Sequence, residues 1–194
     1  MRYDSEHKEK TRQRVLKAAA KAIRLDGPHR VGVAAVMAKV GLTHGGFYAH
    51  FDSKDDLVAS AIGQMFEEAG RRLRHETDDK SPAAALCAYI DFYLSPEHRD
   101  SVATGCPIPL LAPELRRLGR PARQQFSAGV ARLSGVFAGH LKSLGRVEPE
   151  ADASSLLAEL IGALSLARAE SDAQRSANIL DISRRALRSR FGLQ

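Results

Sequence analysis

The chain has no apolar run approaching the ~18 residues that a membrane span needs. Its best candidate, 160–167, is short and closed off by Glu159 and Arg168, so a bilayer-spanning reading is excluded. No apolar stretch within 1–14 could form the middle of a secretion signal, and the protein is expected to stay in the cytoplasm. Cysteine is scarce. Cys87 and Cys106 make neither a C-x-x-C pair nor a disulfide framework, which suits a reducing compartment. Signatures of catalysis are missing too: there is no G-x-S-x-G elbow, no G-x-x-x-x-G-K-[ST] loop, no H-E-x-x-H and no Glu-x-x-His pair. The histidines, His7, His29, His44, His50, His75, His98 and His140, lack ligand spacing, so no enzyme activity, metal or cofactor is expected.

Core-forming material is present. Hydrophobic residues make up 44% of the 194, and charged residues 27%, enough for one large helical domain or two small ones. Charge is unevenly placed. Residues 1–50 carry ten Lys and Arg against four Asp and Glu, and residues 51–194 carry nineteen of each, so the whole formal net charge of +6 lies in the first quarter. That pattern argues for an anionic partner at one end and a neutral body at the other.

Apolar residues recur at i, i+3, i+4, while strand-like alternation is almost absent, so the fold is expected to be all-α, with about nine helices. The spacing predicts a first helix over 8–25, with Val15, Leu16, Ala19, Ala22 and Ile23 on one side and Lys10, Arg14, Lys17, Lys21 and Arg24 on another. Asp26-Gly27-Pro28 stops it. A second helix, 33–40, ends at Gly41; a third, 43–50, starts from a Thr43 cap; a fourth, 53–75, opens with Ser53 as cap and Asp56 in the capping-box place. Further helices are expected over 82–94, 106–118, 121–144, 151–169 and 172–190.

Two short helices joined by a glycine turn behind a basic helix are the layout of a helix-turn-helix, whose second helix fits the major groove of B-DNA. Val33, Val36, Ala38, Val40, Leu42, Phe47 and Phe51 are its expected apolar anchors. The stretch Val33-x-x-Val36, Val40-Gly41-Leu42-Thr43, Gly45-Gly46-Phe47-Tyr48-x-His50-Phe51 and Ser53-Lys54-x-x-Leu57 resembles the TetR family of bacterial transcriptional regulators, over about 25 residues in fixed order. The resemblance implies a three-helix DNA-binding domain over 1–52 and a larger ligand-sensing and dimerising bundle over 53–194. It also implies a homodimer on a double-stranded palindromic DNA operator, usually as a repressor released by a small-molecule effector.

By the same resemblance, DNA contact falls to Thr43, His44, Gly46, Tyr48, His50 and Lys54. Thr43 and Lys54 suit phosphate oxygens, and Tyr48 and His50 also look like backbone contacts. His44 is the main reader of base edges, and Ala49 can at most touch a thymine methyl. Gly45 and Gly46 let the helix approach closely without reading a base. Gly32 departs from the family's common Thr or Ser, with Arg30 as a possible substitute.

In the C-terminal body, Leu156, Leu160, Ile161 and Leu164 with Ile179, Ile182 and Leu187 form apolar stripes suited to a two-fold four-helix dimer interface. Tyr89, Phe92, Tyr93, Cys106, Leu110, Phe126, Phe137 and His140 are the candidate pocket residues, being mostly aromatic and apolar with few polar handles. Cys106 is expected at a helix N-terminus, where the dipole favours a thiolate. A subset of the resembling family senses electrophiles or oxidants through such a cysteine, which makes a cysteine-based repressor one alternative. An effector-independent architectural DNA-binding protein is the other.

Overall fold

The computed structural model describes residues 2–193, with side chains from Glu6 onward; Met1 and Gln194, the outer limits of the two expected domains, lie outside them. The fold is all-α. Its helices are α1 (Arg2–Asp26), α2 (Val33–Lys39), α3 (Lys54–Thr77), α4 (Pro82–Tyr93), α5 (Pro96–Asp100), α6 (Ile108–Leu111), α7 (Arg120–Ser143), α8 (Pro149–Ala169) and α9 (Ala173–Phe191). Two 3-10 helices, His44–Ala49 and Ala112–Arg117, complete the set, and there is no strand among the described residues.

The chain forms two compact units, Met1–Glu67 with Leu110–Gly129, and Glu68–Pro109 with Val130–Gln194. Their limits fall inside α3, α6 and α7.

In the first unit α1 buries Val15, Leu16, Ala19, Ala22 and Ile23, the face its apolar spacing predicts. Arg24, expected on the basic side of this helix, is buried at 3% exposure. Of the expected anchors, Val36, Phe47 and Phe51 are buried, and Val33, Val40 and Leu42 are half-buried. Ala38 is exposed, and its neighbour Met37 fills the core in its place. One residue along a helix turns the side chain by 100°, enough to carry it from one face to the other. Phe66 meets Phe126 edge-on, ring centroids 5.5 Å apart.

In the second unit α8 packs on α9. Leu156, Leu160, Leu164 and Leu187, expected at a dimer interface, are fully covered within the single chain. They are core, each fully buried side chain contributing about 1.5–3 kcal/mol. Ile161 and Ile179 are half-buried; Ile182, at 58%, and Leu166, at 63%, are exposed.

The continuous helix expected over 106–118 does not form. Pro107, Pro109 and Pro113 each lack an N–H and restrict the residue before them, so the segment breaks into the four-residue α6 and a 3-10 turn. The sequence reading also missed α5. Ser95 caps it, its hydroxyl accepting from the His98 N–H at 3.1 Å, with Pro96 in the first turn, but five residues are too few for a periodic signal.

Candidate nucleic-acid interface and ligand cavity

Thr43, His44, Gly45, Tyr48 and Ala49 form one exposed strip on the short segment after α2. Gly41, at φ +73°, reverses the chain ahead of it: its N–H donates to the Ala38 carbonyl and the Leu42 N–H to that of Met37, both at 3.0 Å, a Schellman closure. The strip is tighter than the α-helix expected. Two adjacent glycines are poor helix formers, and the turn closes with Gly46 N–H to Thr43 carbonyl and His50 N–H to Phe47 carbonyl bonds. Thr43 stands before this turn but makes no side-chain cap, contrary to expectation, so its hydroxyl is not committed to the helix end.

The strip is held from behind. Phe47 is buried and stacks on Phe51, ring centroids 5.5 Å apart. Arg12 of α1 donates to the His50 carbonyl and, at 3.2 Å, to Ser60 Oγ, with its guanidinium 4.3 Å from the Phe51 ring centroid. Arg14 donates to the Val40 carbonyl at 2.8 Å, closing the end of α2. Sequence reading missed both clamps, because a basic residue facing a backbone carbonyl looks in sequence like one facing water. Ser53 does cap α3, accepting from the Asp56 N–H at 3.0 Å; the Asp56 carboxylate reaches back to the Asp52 N–H at 3.1 Å rather than to Ser53.

The remaining proposed contacts are less open. Lys54 is exposed but its Nζ already donates to the His29 carbonyl at 3.0 Å, which leaves its other two N–H groups for a phosphate. Gly46 is half-buried, and Tyr48 is 67% exposed. His50 is half-buried with Nδ1 enclosed, and burial, then Lys8 and Arg12, hold its pKa below the usual 6.5.

The second unit contains a cavity of about 310 Å³. Tyr89, Phe92 and Tyr93 of α4, and Cys106, line it as expected. Phe137 lies behind that wall, packed on Tyr89 at 5.1 Å. Leu110 and Phe126 belong to the other compact unit, and His140, half-buried on α7, is not among the lining residues, so these four do not border the cavity. Sequence reading missed Arg72 of α3 and the α5 residue His98, whose neighbours are set by the fold rather than by spacing.

His98 organises this wall. Its Nδ1–H donates to the Tyr93 carbonyl at 2.8 Å, which fixes Nε2 as the acceptor of the Cys106 N–H at 3.2 Å. Its ring stacks on Phe92, centroids 5.0 Å apart. Burial drives its pKa down to about 4 despite the Tyr93 bond, so it stays neutral near pH 7. Burial also holds the Tyr89 and Tyr93 phenols protonated, well above the ordinary value. Arg168 of α8 donates to the carbonyls of His98 and Arg99, both at 2.9 Å, and ties α5 to α8. Gly105 is needed here: a Cβ would lie 2.9 Å from the Arg168 guanidinium and 3.0 Å from the Ser101 carbonyl. Cys106 stands ahead of α6, a helix of only four residues in place of the long one expected there.

Comparison with known proteins agrees with this geometry. The family described as bacterial regulatory proteins, tetR family, matches residues 15–61. An HTH-type transcriptional regulator of Bacillus subtilis, YxaF, is 26% identical over 146 residues, covering 73% of this chain and 75% of the relative. A transcriptional regulator of the TetR family from Agrobacterium tumefaciens is 26% identical with a TM-score of 0.79, over 94% of this chain and 98% of that one. A TetR transcriptional regulator from Chloroflexus aurantiacus shares the fold, with a TM-score of 0.82 at 23% identity over 97% and 98%.

Proposed function

From the premise that the chain belongs to the tetR family of bacterial regulatory proteins, DNA-binding transcriptional regulators rather than enzymes, we propose that it is a homodimeric repressor that a small molecule releases from a palindromic operator. Residues 1–52 would read the DNA, and residues 53–194 would sense the effector and dimerise. One observation carries the DNA-reading part: an exposed strip of His44, Gly45, Tyr48 and Ala49 on a turn locked from behind by Phe47, Phe51 and Arg12. A rigid projection of this size suits the major groove, and a Cβ at Gly45 would meet nothing within 4 Å. The fold does not need that glycine, whereas close approach to DNA does.

In this reading Thr43, Tyr48 and Lys54 hold phosphates, His50 adds a neutral donor, Gly46 permits the approach and His44 reads a base edge. Two copies pair through α8 and α9, using Ile161, Ile179 and Ile182 together with Leu166, the apolar side chains the single chain leaves uncovered or half-covered. The effector enters the cavity beside Phe92 and His98. It favours the dimer population whose reading strips no longer match successive major grooves.

The test is selection of duplex DNA from a random pool, with the mass of the selected complex measured by light scattering. Enrichment of a palindrome bound by two chains is expected. Enrichment of nothing, or binding as one chain, would contradict the proposal. An architectural binder would instead coat DNA without a discrete site.

A further inference from the structure

The cavity of the second unit is walled by rings and backbone and edged by charge. Tyr89 packs on both Phe92 and Tyr93, ring centroids 5.9 Å and 5.8 Å away, and Gly105 lines the same cavity. The charged residues bordering it are Glu68, Arg72 and Glu97, and each is exposed or half-exposed at the edge. Arg72 is already paired with Glu76 at 3.3 Å, and its guanidinium lies 5.0 Å from the Phe92 ring centroid. His98, the one ionisable imidazole in the wall, spends both ring nitrogens on the backbone of Tyr93 and Cys106. Arg168, half-buried beside Gly105, spends its guanidinium on the carbonyls of His98 and Arg99. An ion placed inside would therefore leave water without gaining an uncommitted buried counter-charge, and that exchange is strongly unfavourable. A flat uncharged molecule loses little water and gains ring contact.

We infer that the ligand of this cavity is an uncharged, planar aromatic molecule of two to three fused rings, held against Phe92 and the Tyr89–Tyr93 wall. The size follows from the volume of about 310 Å³, near the lower limit for small-molecule sites. The inference rests on the reading of the cavity as the effector site and refines it.

Three probes of one ring system test it by fluorescence titration at mildly alkaline pH, without DNA: acridine, 10-methylacridinium and acridine-9-carboxylate. Acridine should bind at least about tenfold more tightly than either ion. Ala69→Phe, which fills the cavity from α3, should abolish binding, and Phe92→Leu should weaken it about fivefold by removing the ring contact. Circular dichroism checks that both variants keep their helices. Equal or tighter binding of either ion, failure of all three probes, or undiminished binding to a folded Ala69→Phe protein would overturn the inference. Because the ranking is read without DNA, a protein that ranks the probes as expected but never leaves its operator would overturn the regulatory reading alone.

Discussion

Both compact units use arginine to hold backbone carbonyls, and they differ in what the arginine closes. In the first, Arg12 and Arg14 fix the ends of the segments around the buried Met37, Phe47 and Phe51, and that unit's own cavity of about 330 Å³ lies elsewhere, beside His29 and Lys54. In the second, Arg168 fixes α5 beside a cavity. The same bond serves rigidity in one place and a hollow in the other. A surface that must match a DNA groove needs the solid arrangement, whereas a site that must admit a molecule needs space that folding leaves unfilled.

The sharpest way to break this contrast is to remove one ring from each unit. Phe47→Ala, at 1% exposure in a filled core, should cost about 3–5 kcal/mol, whereas Phe92→Ala, half-buried beside an existing void, should cost only about 1–2 kcal/mol. Denaturant unfolding checks both, and equal costs would remove the distinction between solid and hollow.

Acid comes next. The unfolded chain binds a proton at His98 near its ordinary pKa of 6.5, while the folded chain resists until about 4. Stability from this group is thus complete above about pH 6.5 and is lost as the pH falls toward 4, by at most about 3 kcal/mol. Melting curves of the protein and of His98→Gln should show a shallower decline over that window in the variant.

The two clamps should separate in function. Arg12→Met and Arg168→Met should each cost about 1.5–3 kcal/mol through lost charge-assisted bonds. Only Arg12→Met should also weaken DNA binding when measured by gel shift at a temperature where both variants remain folded. The smallest effect expected is at Lys54. Lys54→Ala should weaken binding to all sequences alike and reduce the salt slope by about one unit, as a single phosphate contact requires.

The sequence disclosed the first unit better than the second for a physical reason. From α2 to the start of α3 the site is continuous in the chain, so Gly41, Phe47 and Ser53 show their roles through local spacing. The cavity draws on α3, α4, α5 and the 104–106 loop, and nothing local in the chain announces that His98 will stack on Phe92. Only the α4 aromatics and Cys106 could be anticipated there. Apolar stripes on α8 and α9 were visible, but a stripe does not say whether its leucines face the same chain or another. Leu156, Leu160, Leu164 and Leu187 proved to be interior. Three prolines spaced through 107–113 were a sufficient warning that 106–118 would not stay helical.

The central claim is that the strip from Thr43 to Ala49 reads duplex DNA, and nuclease footprinting on the selected palindrome tests it most directly. The protein should protect two half-sites about one helical turn, roughly 34–36 Å, apart. A His44→Ala, Tyr48→Ala double variant with unchanged melting should lose that protection. An unaltered footprint from the double variant would contradict the account.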